Sequence, residues 1–189
     1  MRIIAGKFKG IVLCGPKDKK IRPLKDMVRE SIFNFLTHSN KISFQLKKSN
    51  VLDLYSGVGS FGLECLSRQA ENVYFVERDN NAFRILKKNI EKLRLNNRVN
   101  VYFQDVLNLV IKPNIFKLKF DLIFCDPPFK DSNIEKLIQL IFNNNFVKKN
   151  SIVVMHRHKS SIEKFPNNFK IIEVRSYGIS KIIFGKFLF

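Results

Sequence analysis

The sequence predicts an α/β fold, a mostly parallel, doubly wound sheet with an antiparallel C-terminal strand, and three observations carry that prediction. From Val51 onward, short apolar strand-like runs alternate with stretches of helical periodicity, the pattern of a sheet covered on both faces. The first of these strands runs straight into a glycine turn, Gly57-x-Gly59-x-x-Gly62, and a helix. The chain then closes on two strand-like segments around Ser176-Tyr177-Gly178, which read as an antiparallel pair. With 189 residues and 45% hydrophobic content, the chain suits one α/β domain with a small appendage.

Taken in order, Arg2 to Ala5 and Gly10 to Cys14 read as two short strands joined by Gly6-Lys7-Phe8-Lys9, a basic hairpin with one aromatic ring among its cations. A polar loop from Gly15 to Lys20 and the extended break Arg22-Pro23 follow. Leu24 to Leu36 reads as a helix, because Val28, Ile32, Phe35 and Leu36 recur at helical spacing while Lys25, Arg29 and Glu30 lie on other faces. Lys41 to Asn50 links this helix to the core. The alternating region then gives a strand at Val51, a helix from Ser60 to Arg68, a strand from Val73 to Val76 and a helix from Asn80 to Leu95. The next strands are Val99 to Phe103 and Phe120 to Cys125, before a helix from Ile134 to Phe142 and a strand from Ile152 to Met155. Lys170 to Arg175 and Ile179 to Phe187 form the closing pair. Residues 1–50 are read as a basic extension and 51–189 as the main domain.

Charge points to the partner. The chain carries a formal +18, from 34 Lys and Arg against 16 Asp and Glu, as expected of a protein that meets phosphate. The first 50 residues hold 12 of those cations against 3 acids, so they are the most basic part per residue. Arg2, Lys7, Lys9, Arg22, Lys25 and Arg29 are therefore the candidate RNA contacts. Cys14, Cys65 and Cys125 have no Cys-x-x-Cys spacing, and no secretory signal or membrane-length apolar run is present, so a reduced, cytoplasmic protein without a membrane partner is expected. His156 and His158 flank Arg157 with no third ligand at a metal spacing, and read as loop or RNA-facing residues rather than a metal site.

Two stretches carry chemistry. The glycine spacing at 57, 59 and 62 fits a nicotinamide dinucleotide as well as S-adenosylmethionine. Asp53, four residues before the first glycine, tips the balance, because an acid at a strand end suits a ligand with a sulfonium and an α-ammonium and repels a pyrophosphate. Glu77, at the end of the second strand, is placed to accept hydrogen bonds from ribose hydroxyls, and Asp105 to reach an adenine edge. The cofactor-binding candidates are Asp53, Tyr55, Gly57, Gly59, Glu77, Arg78 and Asp105. The second stretch is Asp126-Pro127-Pro128-Phe129, at the end of the fourth strand. Its prolines make a rigid turn, its carboxylate and carbonyls can accept the hydrogens of an exocyclic amine, and its ring can stack on a base. These four are the catalytic candidates.

Together these residues resemble the bacterial 16S ribosomal RNA guanine-N2 methyltransferases of the RsmD type. The resemblance runs through Arg2-Ile3-Ile4-Ala5-Gly6 with Lys9-Gly10, Arg22-Pro23, Val28 to Asn34, Leu52-Asp53 to Glu64, and Asp126 to Phe129. It implies a Rossmann-like class I S-adenosylmethionine-dependent methyltransferase fold and an enzyme acting on 16S rRNA or the small ribosomal subunit; a monomer is expected. It departs from the family where Leu24 stands for a threonine and Met27 for an arginine. Rival readings are an N6-adenine methyltransferase, a glutamine methyltransferase, and a non-enzymatic RNA-binding assembly factor. The first is short of a target-recognition domain in 189 residues, the second would open its motif with Asn rather than Asp126, and the third leaves Asp126 to Phe129 unexplained.

Overall fold

The computed structural model describes residues 1–16, 24–111, 115–131 and 133–189. Its elements are α1 (Asp26–His38), β1 (Asn50–Leu54), α2 (Ser60–Ser67), β2 (Asn72–Glu77), α3 (Asn80–Lys92), β3 (Val99–Phe103), β4 (Phe120–Cys125), α4 (Ile134–Asn143), β5 (Val147–His158), β6 (Phe169–Tyr177) and β7 (Ser180–Phe187). The expected loop from Gly15 to Lys20 and the Arg22-Pro23 break lie largely outside the described residues.

Seven strands form one sheet in the order β3-β2-β1-β4-β5-β7-β6. β1 pairs in parallel with both β2 and β4, β2 with β3, and β4 with β5, whereas β7 runs antiparallel between β5 and β6. The chain builds outward from β1 to β3, then returns to add β4 on the other side of β1. A crevice opens at the carboxyl ends of strands where such an order reverses.

Alternation along the strands sends successive side chains to opposite faces. Val51, Val73, Phe75, Leu122, Phe124, Val154 and Phe184 join one core, closed by α1, α2 and α3. Leu52, Leu54, Val76, Ile123, Cys125, Val153 and Met155 join the other, closed by α4 and Phe116. On the first face Phe33, Phe61 and Phe124 stack with centroid separations of 5.2 and 3.9 Å. Cys65 and Cys125 are buried and Cys14 is exposed, all three unbridged. Among the described residues no helix is long and apolar enough to cross a membrane.

The N-terminal hairpin is shorter than expected. It has one bridge, Arg2 with Val12, supported by Ile3 N–H to Ile11 O (3.0 Å), Gly10 N–H to Ile3 O (2.9 Å) and Leu13 N–H to Met1 O (3.1 Å). It is tied instead to α2. Buried Glu64 accepts from the backbone N–H of Ile4 (2.7 Å) and Ala5 (2.9 Å), and the Ser67 carbonyl accepts from Lys7 N–H (2.8 Å). Ile3, Leu13, Leu24, Val28, Ile32 and Leu36 enter the same core as Val51 and Phe75, so the hairpin and α1 pack into the core of the sheet.

Arg29, expected at the RNA surface, lies in this joint. It is 0% exposed and donates to Ser60 O (3.4 Å), to Arg2 O and to Asp26 Oδ1 (3.0 Å), with Glu64 Oε2 at 3.9 Å. Burial lowers its pKa, and the charges of Glu64 and Asp26 oppose that shift. A guanidinium closed in by α1, α2 and the hairpin has no surface to offer a nucleic acid.

Gly62 shows how closely α2 packs. A Cβ there would sit 2.3 Å from Phe75 Cε1 and 2.7 Å from Val73 Cγ1, both fixed in the core. Gly62→Ala is expected to destabilise the fold by about 1–3 kcal/mol through overpacking. The check is the denaturant midpoint at constant m-value, and an unchanged midpoint would show that α2 does not press on β2 as described.

Candidate active site

The crevice at the β1/β4 switch is a cavity of about 490 Å³. The turn after β1 supplies Tyr55, Ser56, Gly57 and Val58 to its wall, and the end of β2 supplies Glu77, Arg78 and Asp79. The segment after β4 supplies Asp126, Pro127, Pro128 and Phe129, while Leu24, Ser60, Ala82 and His156 complete it. Two separate runs of sequence are thus brought face to face.

The β1 turn is held in an unusual backbone path. Tyr55, Gly57 and Gly59 have φ of 57°, 54° and 85°, all in the left-handed region. Ser56 fastens the turn by donating its hydroxyl to Asp53 O (2.6 Å) and accepting from Val76 N–H (2.9 Å). A Cβ on Gly57 would meet nothing within 4 Å, so glycine is needed there for conformation. On Gly59 it would stand 2.3 Å from Leu86 Cδ1, so that position also serves packing against α3. Burial raises the pKa of the Tyr55 phenol, which stays protonated.

Glu77 organises the same wall. Its Oε2 accepts from Gly57 N–H (2.7 Å) and its Oε1 from the N–H groups of Arg78 (2.8 Å) and Asp79 (2.6 Å), leaving acceptor capacity on a carboxylate that can take about four hydrogen bonds. Asp79 caps α3 through Ala82 N–H (2.8 Å). Arg78 lines the cavity and pairs with Asp105, whose other oxygen accepts from Leu107 N–H (2.9 Å). Asp105 itself is not part of the cavity wall.

Asp53 sits behind the turn. It is 1% exposed, its Oδ2 accepts from Gly62 N–H at 3.0 Å, and its Oδ1 is buried with no hydrogen-bond partner. Burial pushes its pKa well up, the Gly62 N–H opposes this, and the neighbouring charges of Asp126 and Glu77 push it further up. Asp53 is thus a buried acid behind the turn, outside the cavity wall, with one carboxylate oxygen left uncompensated.

The catalytic candidates are fixed from behind by residues that the sequence reading set in a loop. His156 and Arg157 belong to β5, which runs past Met155 because β7 pairs with it up to His158 and Ser180. His156 is 7% exposed, with Nδ1 2.8 Å from Asp126 Oδ1 and Nε2 2.9 Å from Ser180 Oγ. The Arg157 guanidinium, 3% exposed, donates to the carbonyls of Pro128 (2.9 Å), Phe129 (3.2 Å) and Asp131 (2.6 Å) and stands 3.5 Å from that of Pro127. Glu163, itself bonded to Lys181 (2.7 Å), receives Arg157 Nε at 3.0 Å. One cation thus gathers the carbonyls of a loop whose prolines provide no donors. The sequence signal was the unbroken apolar run Ile152 to Met155, which continues in register into His156.

Of the RNA candidates, Arg2, Lys7, Lys9 and Lys25 are exposed, and Arg22 lies outside the described residues. Lys7 Nζ stands 5.6 Å from the Phe8 ring centroid. Among the described residues no group of three or more His, Cys, Asp and Glu side chains is placed to hold a metal ion.

This geometry has solved counterparts. A Haemophilus influenzae structure superposes with a TM-score of 0.78 and 32% identity, over 99% of this chain and 98% of that one. A more distant structure complexed with S-adenosylhomocysteine shares the fold, at TM-score 0.66 and 13% identity over 84% of this chain and 48% of that one. The open sheet with its crevice at the β1/β4 switch is the Rossmann-like fold of the S-adenosylmethionine-dependent methyltransferases. A Haemophilus influenzae relative named ribosomal RNA small subunit methyltransferase D is 33% identical over 180 residues, covering 95% of this chain and 90% of that protein. The chain belongs to the RsmD family, whose model, described as conserved hypothetical protein 95, matches residues 1–186.

Asp53→Asn tests the buried acid. Because the folded-state pKa is raised, the folded protein binds more protons than the unfolded chain above the ordinary aspartate range, and stability falls as pH rises through that window. Asparagine removes the titration while keeping an oxygen for Gly62. The variant is expected to gain on the wild type as pH rises from about 4 to 7, read from thermal midpoints, and a pH-independent difference would refute the assignment.

Proposed function

We propose that the protein transfers a methyl group from S-adenosylmethionine to the exocyclic N2 of a guanine in 16S rRNA. The observation that carries the reading is the cavity itself, in which Asp126 to Phe129 stand opposite the Tyr55–Gly57 turn and Glu77. Membership of the RsmD family and the names of its relatives support it. Residues 1–50 are read as the RNA-contacting extension, through Arg2, Lys7, Lys9, Arg22 and Lys25, and residues 51–189 as the catalytic domain. The partner is the small subunit or its rRNA, met in the cytoplasm by a monomer.

The residues present fit the cofactor. Gly57 turns its backbone toward open space, Glu77 has acceptor capacity for ribose hydroxyls, and the carboxylates of Glu77, Asp79 and Asp126 around the cavity, with Asp53 behind the turn, suit a ligand carrying a sulfonium and an ammonium. S-adenosylmethionine, when bound, supplies an electrophilic methyl group. The protein's task is orientation, because the guanine amine is a weak nucleophile whose lone pair is delocalised into the ring. Asp126 and the Pro127 carbonyl accept its two hydrogens, which draws the lone pair out of the ring plane, and Phe129 stacks on the base. On methylation the nitrogen would give up one proton, which Asp126 Oδ2, already its hydrogen-bond acceptor, would take and pass to solvent. A base drawn out of a loop has lost stacking worth a few kcal/mol, which the pocket ring and phosphate contacts offset.

The test is transfer of labelled methyl from S-adenosylmethionine to rRNA and small-subunit particles from cells lacking the protein, followed by nucleoside analysis. Label is expected in N2-methylguanosine. Label in N6-methyladenosine would overturn the base assignment, and none in either RNA would overturn the reading. Asp126→Ala is expected to lower kcat by roughly 10²-fold while RNA affinity holds, because the acceptor that orients the amine and takes its proton is lost. An assembly factor without catalysis would keep its cellular role in that variant.

The basic hairpin makes a separate prediction. Lys7→Ala with Lys9→Ala is expected to flatten the slope of log affinity against log salt by about 1.4 to 1.8, the loss of two phosphate contacts. A slope equal to the wild type's would place RNA elsewhere.

A further inference from the structure

Asp126 is bound on one side only. Its Oδ1 faces His156 Nδ1 at 2.8 Å, whereas Oδ2 has no partner among the described residues. An ionised carboxylate has no hydrogen to give, so the imidazole must be the donor and Nδ1 must carry the proton. A neutral ring then presents Nε2 as an acceptor. Ser180, 5% exposed and held at the start of β7, places its hydroxyl 2.9 Å from that nitrogen and has a hydrogen to donate. For a neutral ring the chain is then directed, Ser180 O–H to His156 Nε2 and His156 Nδ1–H to Asp126 Oδ1. It leaves one oxygen of the carboxylate for the cavity.

We infer that His156 is a positioning residue for methyl transfer, selecting through Ser180 which oxygen of Asp126 accepts the substrate amine. The inference rests on the function proposed above. A carboxylate on a single side-chain bond can rotate both oxygens toward a cavity, and an amine offered two acceptors is held less firmly for in-line attack. With Oδ1 taken by a buried ring, rotation breaks a hydrogen bond, so the second oxygen faces the substrate in one orientation. The same ring stands edge-on to Phe129, with centroids 5.3 Å apart and planes at 77°, and so sets acceptor and stacking surface from one rigid group. His156 is carried by β5, which pairs with β4 up to Met155 and with β7 through His156 itself, opposite Ile182, and this anchoring gives it the fixity the role requires.

Two measurements on the full chain test this. The first is ¹⁵N NMR of the histidine rings, of which there are three. His156 is expected to show a protonated Nδ1 and a bare Nε2, and Ser180→Ala is expected to weaken that preference; an Nε2–H tautomer in the wild type would overturn the inference. The second compares His156→Phe, which keeps the ring but has no nitrogen, with His156→Asn, whose amide nitrogen replaces Nδ1. Phenylalanine is expected to lower kcat by roughly 10²-fold with the KM for S-adenosylmethionine unchanged, and asparagine to recover it to within about fivefold of the wild type. A purely structural ring would reverse that order, since Phe fills the site better than Asn. Equal kcat for wild type and His156→Phe, or no recovery with Asn, would overturn the inference alone. A wild type that methylates no RNA would instead overturn the function on which it rests.

Discussion

A carboxylate buried in a protein has to be met by donors, and this requirement shapes the half of the molecule around β1 and β2. Glu64 meets it with two backbone N–H groups from the N-terminal hairpin and with Arg68, Glu77 with one from the β1 turn and two from Arg78 and Asp79 ahead of α3, and Asp53 with one from α2. Two of these acids join segments distant in the chain. Glu64 fastens residues 4 and 5 to α2, and Glu77 draws Gly57 against β2. Asp53 alone is left with an unpaired oxygen, and it is the acid buried behind the β1 turn.

The other wall solves the opposite problem. Between Asp126 and Asp131 the chain presents carbonyls and, at two prolines, no donors, so the loop needs a cation to hold it. Arg157 supplies that cation from within β5, and Glu163 with Lys181 keeps its charge balanced in a buried setting. One wall is thus organised by acceptors that gather N–H groups, and the other by donors that gather C=O groups.

The fold was largely readable because its strands are short apolar runs separated by turn residues. β3 and β4 begin and end at the expected positions, Val99 to Phe103 and Phe120 to Cys125. β5 was read short because His156, Arg157 and His158 carry the composition of a loop, and only pairing with β7, a long-range fact, keeps them in the strand. Arg29 was misread for a related reason. Its place beside the apolar stripe of α1 shows a cation next to a core, but the hairpin and Glu64 that enclose it lie far off in sequence. The two cavity-lining runs could be located in the sequence because glycine and proline mark backbone paths, whereas the groups behind them, Arg157, Glu163 and Ser180, have no local signature.

The attachment of the hairpin to α2 has a consequence for scale. Ser60, at one end of that helix, borders the cavity, and Ser67, at the other, holds Lys7 and Phe8 by their backbone N–H groups. Eight helical residues set the interval between these ends at about 12 Å. Gly6 lies so close to Ser67 that an added Cβ would come within 2.0 Å of its carbonyl oxygen, so the hairpin has little room to slide. The helix therefore acts as a spacer: it holds the basic hairpin and the cavity at a set separation, so the offset between them is built into the fold.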